Sequence, residues 1–174
     1  SCFPKDTKAL TKIGDKFKTD MSVVKSVIKS NEKRKSKLAN QIIEILGKPK
    51  GKKVGFLGVT FKANTDDMRD TQCLKIFPQL LRKGVKISYY DPTGKKDELK
   101  NIEFKKSSLE ILKNNDLIVI HTEWDEFRSL NFKKVKKRNI KIFDMRNLYQ
   151  PNSFSNQNVA YYSIGRPANG KKAW

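Results

Sequence analysis

The sequence predicts an α/β protein in which a parallel sheet is covered by helices on both faces and is preceded by a long helix. Two observations carry this prediction. After Lys53, short apolar runs alternate with helical stretches, a pattern typical of parallel strands joined by helical crossovers. In addition, 37% of the residues are hydrophobic and 10% are aromatic, which is enough to fill a core.

The first predicted element is a turn followed by a short helix within residues 1–18, which begin SCFPKDTKAL. Pro4 suits a first helical turn, because the N–H that proline lacks has no intrahelical partner there. Asp6 lies near the start of this helix, where a carboxylate is favoured.

A long helix is predicted from Thr19 to Leu46, with Thr19 or Asp20 as its cap and Gly47 as its stop. Apolar residues recur with helical spacing near both ends, and the middle, SNEKRKSK, is polar nearly all round. A helix with this distribution is typical of a bridge between two packed bodies. The apolar positions are Val23, Val24, Val27, Ile28, Leu38, Ile42, Ile43, Ile45 and Leu46.

The remaining chain predicts the sheet and its helices. Strands are expected at residues 54–59, 85–90, 117–120, 140–143 and 159–163, with a short extra strand within 99–106. Helices are expected at 71–83, 107–114 and 124–137, the first of them kinked or broken by Pro78. The predicted domains are therefore residues 1–46, 50–166 and a basic tail at 167–174.

Charge and composition restrict the classes of function. The 38 Lys and Arg residues exceed the 18 acidic residues by 20, which suggests nucleic acid, anionic lipid or a phosphorylated metabolite as partner. The favoured alternative is that a general abundance of lysine keeps the surface solvated, because the lysines occur in every segment. The lysines are scattered, and no motif of a nucleic-acid-binding module or spacing of a zinc site is present, so nucleic acid is the less favoured partner. The apolar runs are too short to cross a membrane. Two cysteines and one histidine predict neither a disulfide framework nor a His-rich metal site, and favour the reducing cytoplasm.

The stretch GFLGVTFKANTDDMRD follows the first predicted strand, where α/β folds place a phosphate-binding turn. Gly55 and Gly58 do not form the G-x-G-x-x-G pattern of a dinucleotide site. Phe61 and Lys62 instead offer a stacking face and a positive charge, which suit a base or sugar and a phosphate. The alternative is that Phe61 packs in the core and Lys62 faces solvent.

Cys2 precedes a helix and lies close to Lys5 and Asp6 in the sequence. A thiol in such a place should have a lowered pKa, and a nearby carboxylate can orient water or accept a proton. The alternative is that Cys2 is a small buried apolar residue.

Four other residues could serve either in a functional site or in packing. Cys73 is predicted to pack in the core, and His121, at the end of a strand, is predicted to be structural rather than a ligand. Phe127 should pack its helix against the sheet. Arg146 follows the strand IKIF at the same sheet edge as Lys62, and it is either a second phosphate contact or a surface arginine.

Six segments occur here in one order: SCFPKDTKAL, LGVTFKANTDDMRD, VKISYYDP, HTEWDEFRSL, IFDMRN and YYSIGR. Together they resemble the UDP-glucose 6-dehydrogenase branch of the nucleotide-sugar dehydrogenases over nearly the whole chain. The resemblance implies the C-terminal part of a longer enzyme. That part comprises the end of the central helical domain with the linking helix, then a Rossmann-like UDP-sugar-binding domain. The domain that holds most of the NAD would lie upstream.

The resemblance also assigns catalytic roles. Cys2 matches the nucleophile that holds the sugar aldehyde as a thiohemiacetal and later as a thioester. Asp6 matches the carboxylate that handles water and protons. Two hydride transfers to NAD would convert UDP-glucose to UDP-glucuronate, a precursor of surface polysaccharides in this family. Because the NAD domain is expected outside this chain, the chain alone is predicted to be inactive.

The same resemblance assigns the binding residues. Phe61 and Lys62 match contacts to the UDP-sugar, and Arg146 matches an arginine near the substrate. Lys5 and Arg69 match residues that reach NAD. The helix at 20–46 resembles the helix through which the family forms dimers.

Three alternative functions remain open at this point. A dehydrogenase of GDP-mannose or of a UDP-N-acetylhexosamine would share the same layout. A basic nucleic-acid-binding module would use the net charge of +20. A dimerisation body with a pocket that no longer works is the third.

Overall fold

The computed structural model describes residues 2–132, 140–154 and 159–166, except for the side chain of Cys2. The first helix, α1, spans Cys2–Lys16, so the prediction of an opening turn before it is wrong for the described residues. Pro4 lies in the first turn of α1, where its missing N–H removes no intrahelical bond. One helical turn further on, the Thr7 hydroxyl donates to the Phe3 carbonyl at 3.0 Å.

The long helix α2 spans Ser22–Leu46, close to its predicted bounds. Met21 occupies the N-cap position, but the Asp20 carboxylate accepts a hydrogen bond from the Ser22 backbone N–H at 2.8 Å. Gly47 ends the helix with a positive φ of 77° and donates to the Ile43 carbonyl at 3.0 Å. The predicted stop is therefore confirmed, and the capping carboxylate lies one residue before the cap position.

Six parallel strands form one sheet in the order β3-β2-β1-β4-β5-β6. Their register places Gly55 of β1 opposite Ser88 of β2 and Ile118 of β4. The strand order reverses between β1 and β4, and ligands of such sheets bind at the carboxyl ends of the strands near this point. The strands are β1 Lys53–Leu57, β2 Lys86–Tyr90, β3 Glu103–Phe104, β4 Leu117–Ile120, β5 Ile140–Asp144 and β6 Val159–Ser163.

In the part of the chain that the structure describes, three further α-helices cover the sheet: α3 Cys73–Arg82, α4 Ser108–Asn114 and α5 Asp125–Arg128. Helix α3 runs continuously through Pro78, so of the two predicted outcomes, a kink or a break, the break is wrong. Burial of its apolar face, with Ile76 and Leu80 fully buried, outweighs the one backbone bond that proline removes. Helix α5 is shorter than the predicted 124–137, since residues 129–131 are not helical, and 133–139 lie outside the described residues.

The core has two parts, one on each face of the sheet. On one face, α2 and α3 pack against β1, with Ile42 fully buried and the rings of Phe56 and Phe77 4.6 Å apart. On the other face, α4 and α5 contribute Ile111 and Phe127, which are also fully buried. Helices on both faces of a parallel sheet are thus confirmed. None of the described helices combines the length and apolar character that crossing a bilayer requires.

Cys73 opens α3 and is buried in this core, as predicted. Burial raises the pKa of its thiol to about 12, and the thiol lies 3.3 Å from the Val59 carbonyl. A thiol with such a high pKa is inert, because the thiolate is the reactive form.

Ser107 caps helix α4, since its side-chain oxygen accepts a hydrogen bond from the Glu110 backbone N–H at 3.4 Å. We expect Ser107→Ala to lower the free energy of unfolding by about 1 kcal/mol, the usual effect of losing such a cap. Urea unfolding followed by circular dichroism measures the change. Ser108→Ala, one residue inside the helix, is the matched control. Equal stability of the two variants would show that Ser107 contributes nothing as a cap.

Candidate functional site

A cleft of about 520 Å³ lies between helices α1 and α2 and the loops at the carboxyl edge of the sheet. Three walls enclose it: one from α1, one from the N-terminal half of α2, and one from the loops that follow β1, β4 and β5. Ligands of open α/β sheets bind at this edge. The cleft is therefore the candidate site.

The loop wall carries Phe61 and Lys62, which both line the cleft. Phe61 is half-buried and belongs to neither part of the core, so the alternative that it is a core residue is wrong. Lys62 is exposed next to it. Their loop is held in place because the Phe61 backbone N–H donates to the Asp67 carbonyl at 2.9 Å.

Asp91 fixes the start of the same loop from the end of β2. Its buried carboxylate accepts hydrogen bonds from the Val59 backbone N–H at 2.8 Å and from the Thr93 hydroxyl at 2.6 Å. A charge-assisted bond of this kind is stronger than a neutral one. Sequence analysis missed Asp91, although an acidic residue directly after the apolar run ISYY was a signal for it.

Arg146 joins Phe61 and Lys62 in the cleft, although it comes from the loop after β5. Its Nε donates to the His121 carbonyl at 2.7 Å and lies 3.0 Å from Oε2 of Glu123, which also lines the cleft. Among the described residues, neither terminal nitrogen, Nη1 or Nη2, has a protein partner. A guanidinium anchored through Nε can present these two nitrogens to a phosphate or carboxylate.

The end of β5 is fixed by Asp144, which is fully buried. Its carboxylate accepts hydrogen bonds from the Arg146 backbone N–H at 2.9 Å and from the Tyr161 hydroxyl at 2.7 Å. Burial and the charge of Asp144 raise the pKa of Tyr161, which therefore stays protonated and donates. This carboxylate holds the backbone that carries Arg146 and was also missed from the sequence.

His121 is buried behind the loop wall and is structural, as predicted. Burial, followed by the positive charge of Arg146, lowers the pKa of its imidazole to about 3, so the ring is neutral near pH 7. The Thr122 hydroxyl donates to the Thr60 carbonyl at 2.9 Å and lies 3.0 Å from Nδ1 of His121. Because the Thr122 hydroxyl already donates its proton to the Thr60 carbonyl, it can only accept from His121. The imidazole proton is therefore on Nδ1. Phe127 packs in the core as predicted.

The α1 wall consists of Phe3, Pro4, Thr7 and Lys8, which follow Cys2 within two helical turns. Lys5 and Asp6 do not line the cleft, and both are exposed, with Lys5 Nζ 3.9 Å from Asp6 Oδ1. The structure therefore places the helix that carries Cys2 beside Phe61 and Lys62. It does not bring Lys5 or Asp6 into the cleft.

Arg69 also lies outside the cleft. Its side chain is 81% exposed, and its Nε and Nη2 each lie 3.0 Å from a carboxylate oxygen of Asp67. These hydrogen bonds lower the pKa of Asp67 to about 2. Arg69 is thus held in a bidentate pair on the surface of the loop that follows β1.

The α2 wall supplies residues that sequence analysis missed, among them Glu32 and Lys35. The segment SNEKRKSK was interpreted as polar all round, yet the Lys35 side chain is only 10% exposed. Its ammonium donates to the Glu32 carboxylate at 2.8 Å. A Glu–Lys pair three residues apart on a helix was the available signal.

Comparison with known proteins identifies the family of this chain. Residues 55–151 match the UDP binding domain of the UDP-glucose/GDP-mannose dehydrogenase family. The chain is 38% identical over 173 residues to UDP-glucose 6-dehydrogenase of Rickettsia prowazekii, covering 95% of this chain and 40% of that protein. It is 32% identical over 174 residues to UDP-glucose 6-dehydrogenase TuaD of Bacillus subtilis, covering 97% of this chain and 38% of that protein.

Solved structures agree with these matches. A UDP-glucose dehydrogenase from Pyrobaculum islandicum aligns with a TM-score of 0.76 and 26% identity, covering 94% of this chain and 36% of that one. An NDP-N-acetyl-D-galactosaminuronic acid dehydrogenase from Methanosarcina mazei Go1 aligns with a TM-score of 0.80 and 26% identity, covering 92% and 37%. The chain spans about 40% of the length of the curated relatives that it matches. With its Rossmann-like fold and a matching segment that contains Phe61, Lys62 and Arg146, the chain belongs to the UDP-glucose/GDP-mannose dehydrogenase family.

Proposed function

We propose that the cleft binds the UDP-sugar of a UDP-glucose 6-dehydrogenase, which oxidises UDP-glucose to UDP-glucuronate. One observation carries the proposal. Phe61, Lys62 and Arg146 come from loops after two different strands, yet they line one cleft within the segment that matches the family's UDP binding domain.

Each of these three side chains suits one part of such a ligand. The half-buried ring of Phe61 offers an apolar face to the uracil or the sugar. The Lys62 ammonium supplies a mobile positive charge for the diphosphate. The terminal nitrogens of Arg146, oriented by Glu123 and the His121 carbonyl, can bind a phosphate oxygen pair in a bidentate manner.

The proposed chemistry uses Cys2 and Asp6 of α1. The Cys2 sulfur attacks the carbonyl carbon of the sugar aldehyde, forming a C–S bond while the carbonyl oxygen takes up a proton. After oxidation the sugar is held as a thioester, and water cleaves its C–S bond to release the carboxylate and the thiol. Asp6, which does not line the cleft in this structure, is assigned by family resemblance to orient this water and to accept its proton. A thiol suits both steps, because its adduct can still be oxidised and its ester still hydrolyses.

NAD would accept the hydride in each oxidation. In this proposal, Lys5 and Arg69 contact it from outside the cleft, where both side chains are exposed. An ammonium and a guanidinium fit the diphosphate of a dinucleotide. Most of the NAD site is assigned to a domain outside this chain, since the chain spans about 40% of its relatives. We therefore infer that the chain is inactive without that domain. We infer a cytoplasmic location separately, because two cysteines do not make a disulfide framework.

A homodimer through α2 is part of the same proposal. In the N-terminal half of α2, Val23 is 76% exposed and does not line the cleft. On α1, Ile13 and Phe17 are exposed by 54% and 70%. Burying such side chains against a second copy would be favourable, at about 25 cal/mol for each Å² of apolar surface.

Lys62→Ala tests the binding site. We expect it to weaken UDP binding by about 1–3 kcal/mol, because a charged hydrogen bond to the diphosphate is lost. Isothermal titration calorimetry of the chain with UDP measures the dissociation constant. Lys83→Ala, which removes an exposed lysine at the end of α3, is the matched control for the change in net charge. A dissociation constant equal in both variants would remove Lys62 from the site.

A further inference from the structure

We propose that Lys8 and Lys35, which line the cleft together with Glu32, form an anion subsite at the α2 wall that takes a phosphoryl group of the bound nucleotide. The two lysines come from α1 and α2. This inference rests on the proposed function for the identity of the ligand. It extends to lysines of the helices the phosphate-binding role that is proposed above for Lys62 and Arg146 on the loop wall.

Lys35 is the centre of this subsite. It is 8% exposed, and it is the charged member of the buried residues of α2, which are otherwise apolar apart from Gln41. Burying an ammonium is unfavourable unless it is paired. Glu32 is its hydrogen-bonding partner among the described residues, at 2.8 Å. Because an ammonium carries three donors, two remain for a ligand in the cleft that Lys35 lines.

Glu32 links Lys8 to Lys35. The hydrogen bond from Lys35 lowers the pKa of Glu32, and the positive charges of Lys35, Lys75 and Lys8 lower it further. In the cleft lining, the two ammonium groups of Lys8 and Lys35 share one carboxylate, an excess of one positive charge. Lys8 lines the cleft together with Glu32 and Lys35, whereas Lys75 is exposed on α3, which packs against α2.

The excess charge selects the class of ligand. A phosphoryl group carries negative charge on several acceptor oxygens and can bind ammonium groups from more than one direction. The Arg146 guanidinium on the loop wall already has Glu123 as a counter-ion at 3.0 Å, whereas the lysines around Glu32 are only partly neutralised. The subsite therefore suits a dianion such as pyrophosphate or the diphosphate of UDP.

Two variants test the subsite in the complete 174-residue chain, one that removes a positive charge and one that removes a negative charge. We expect Lys35→Gln to weaken binding of UDP and of pyrophosphate by about 10-fold, because a largely buried positive charge is lost. We expect Glu32→Gln to tighten both by about 3-fold, because the competing carboxylate is removed. Calorimetry measures both ligands, and Lys33→Gln on the exposed side of α2 is the control. A purely structural ion pair would not move the two affinities in opposite directions.

The outcomes separate the two proposals. If UDP binds but Lys35→Gln and Glu32→Gln both match Lys33→Gln, the subsite is overturned and the proposed function stands. If pyrophosphate binds in a manner that depends on Lys35 but UDP does not bind, the subsite stands and the proposed function fails. If neither ligand binds, both proposals are overturned.

If Lys35→Gln fails to fold, Lys8→Gln replaces it as the test, because Lys8 is exposed on the α1 wall. We expect Lys8→Gln to weaken binding by about 3-fold. An unchanged affinity of this variant would overturn the subsite.

Discussion

Replacing Gly58 with alanine is expected to lower the free energy of unfolding by about 3 kcal/mol. Gly58 follows β1 with a positive φ of 76°, a conformation that costs other residues about 1–2 kcal/mol. A Cβ there would also lie 2.5 Å from Cβ of Thr122 and 3.1 Å from its backbone N. Because Thr122 is fully buried and hydrogen-bonded to the Thr60 carbonyl, it cannot move away without further loss.

Gly94→Ala separates the two contributions. Gly94 also has a positive φ, 86°, but an added Cβ meets no atom within 4 Å. We expect this variant to lose about 1 kcal/mol, the conformational part alone. Urea unfolding of both variants, followed by circular dichroism, gives the difference. If Gly58→Ala were no less stable than Gly94→Ala, the close approach of Thr122 would have no energetic consequence.

Acid is expected to destabilise the fold through His121. The pKa of its imidazole is about 3 in the folded chain against 6.5 as the ordinary value, so the unfolded chain binds the proton first as pH falls. The stabilising contribution is complete above pH 6.5 and is lost as pH falls toward 3. Each pH unit in this window corresponds to about 1.4 kcal/mol, which gives a loss of about 2 kcal/mol between pH 7 and pH 5.

His121→Gln isolates this effect, because the chain contains one histidine. The variant will be less stable at pH 7, since it disturbs a buried site. Its free energy of unfolding should nevertheless fall less steeply than that of the parent chain from pH 7 to pH 5. Urea titrations at both values measure the two slopes. Parallel slopes would mean that His121 is accessible to protons in the folded chain.

The sheet could be predicted because its apolar runs are short and are separated by amphipathic stretches. Fully buried parallel strands such as β4, LIVI, have no polar face, so their pattern is continuous and easy to recognise. Pro78 shows why a local rule can fail. The rule counts one lost hydrogen bond, whereas the helix is held by an apolar face against the core.

The candidate site was predictable only in part. Phe61, Lys62 and Arg146 follow strand ends, and the geometry of a parallel sheet brings such residues to one edge. Asp91 accepts a hydrogen bond from the backbone of the loop after β1, and Asp144 accepts one from the Tyr161 hydroxyl of β6; the sequence pattern does not show these long-range bonds. Glu32, three residues before Lys35, marked a possible partner, but the polar segment gives no sign that Lys35 is the lysine that becomes buried.

Helix α2 has 25 residues, a length of about 37 Å at 1.5 Å per residue. Its C-terminal half packs in the core, and its N-terminal half lines the cleft. The packing of Ile42 and its neighbours in the core fixes the rotation of α2 about its own axis, while Ile28 and Glu32 line the cleft. Inserting one residue between Ile42 and Glu32 would rotate the N-terminal half of the helix by about 100° relative to the core. Inserting seven residues would rotate it by two full turns less about 20°, so its side chains would nearly regain their orientation. The number of residues between these halves is therefore under a rotational constraint.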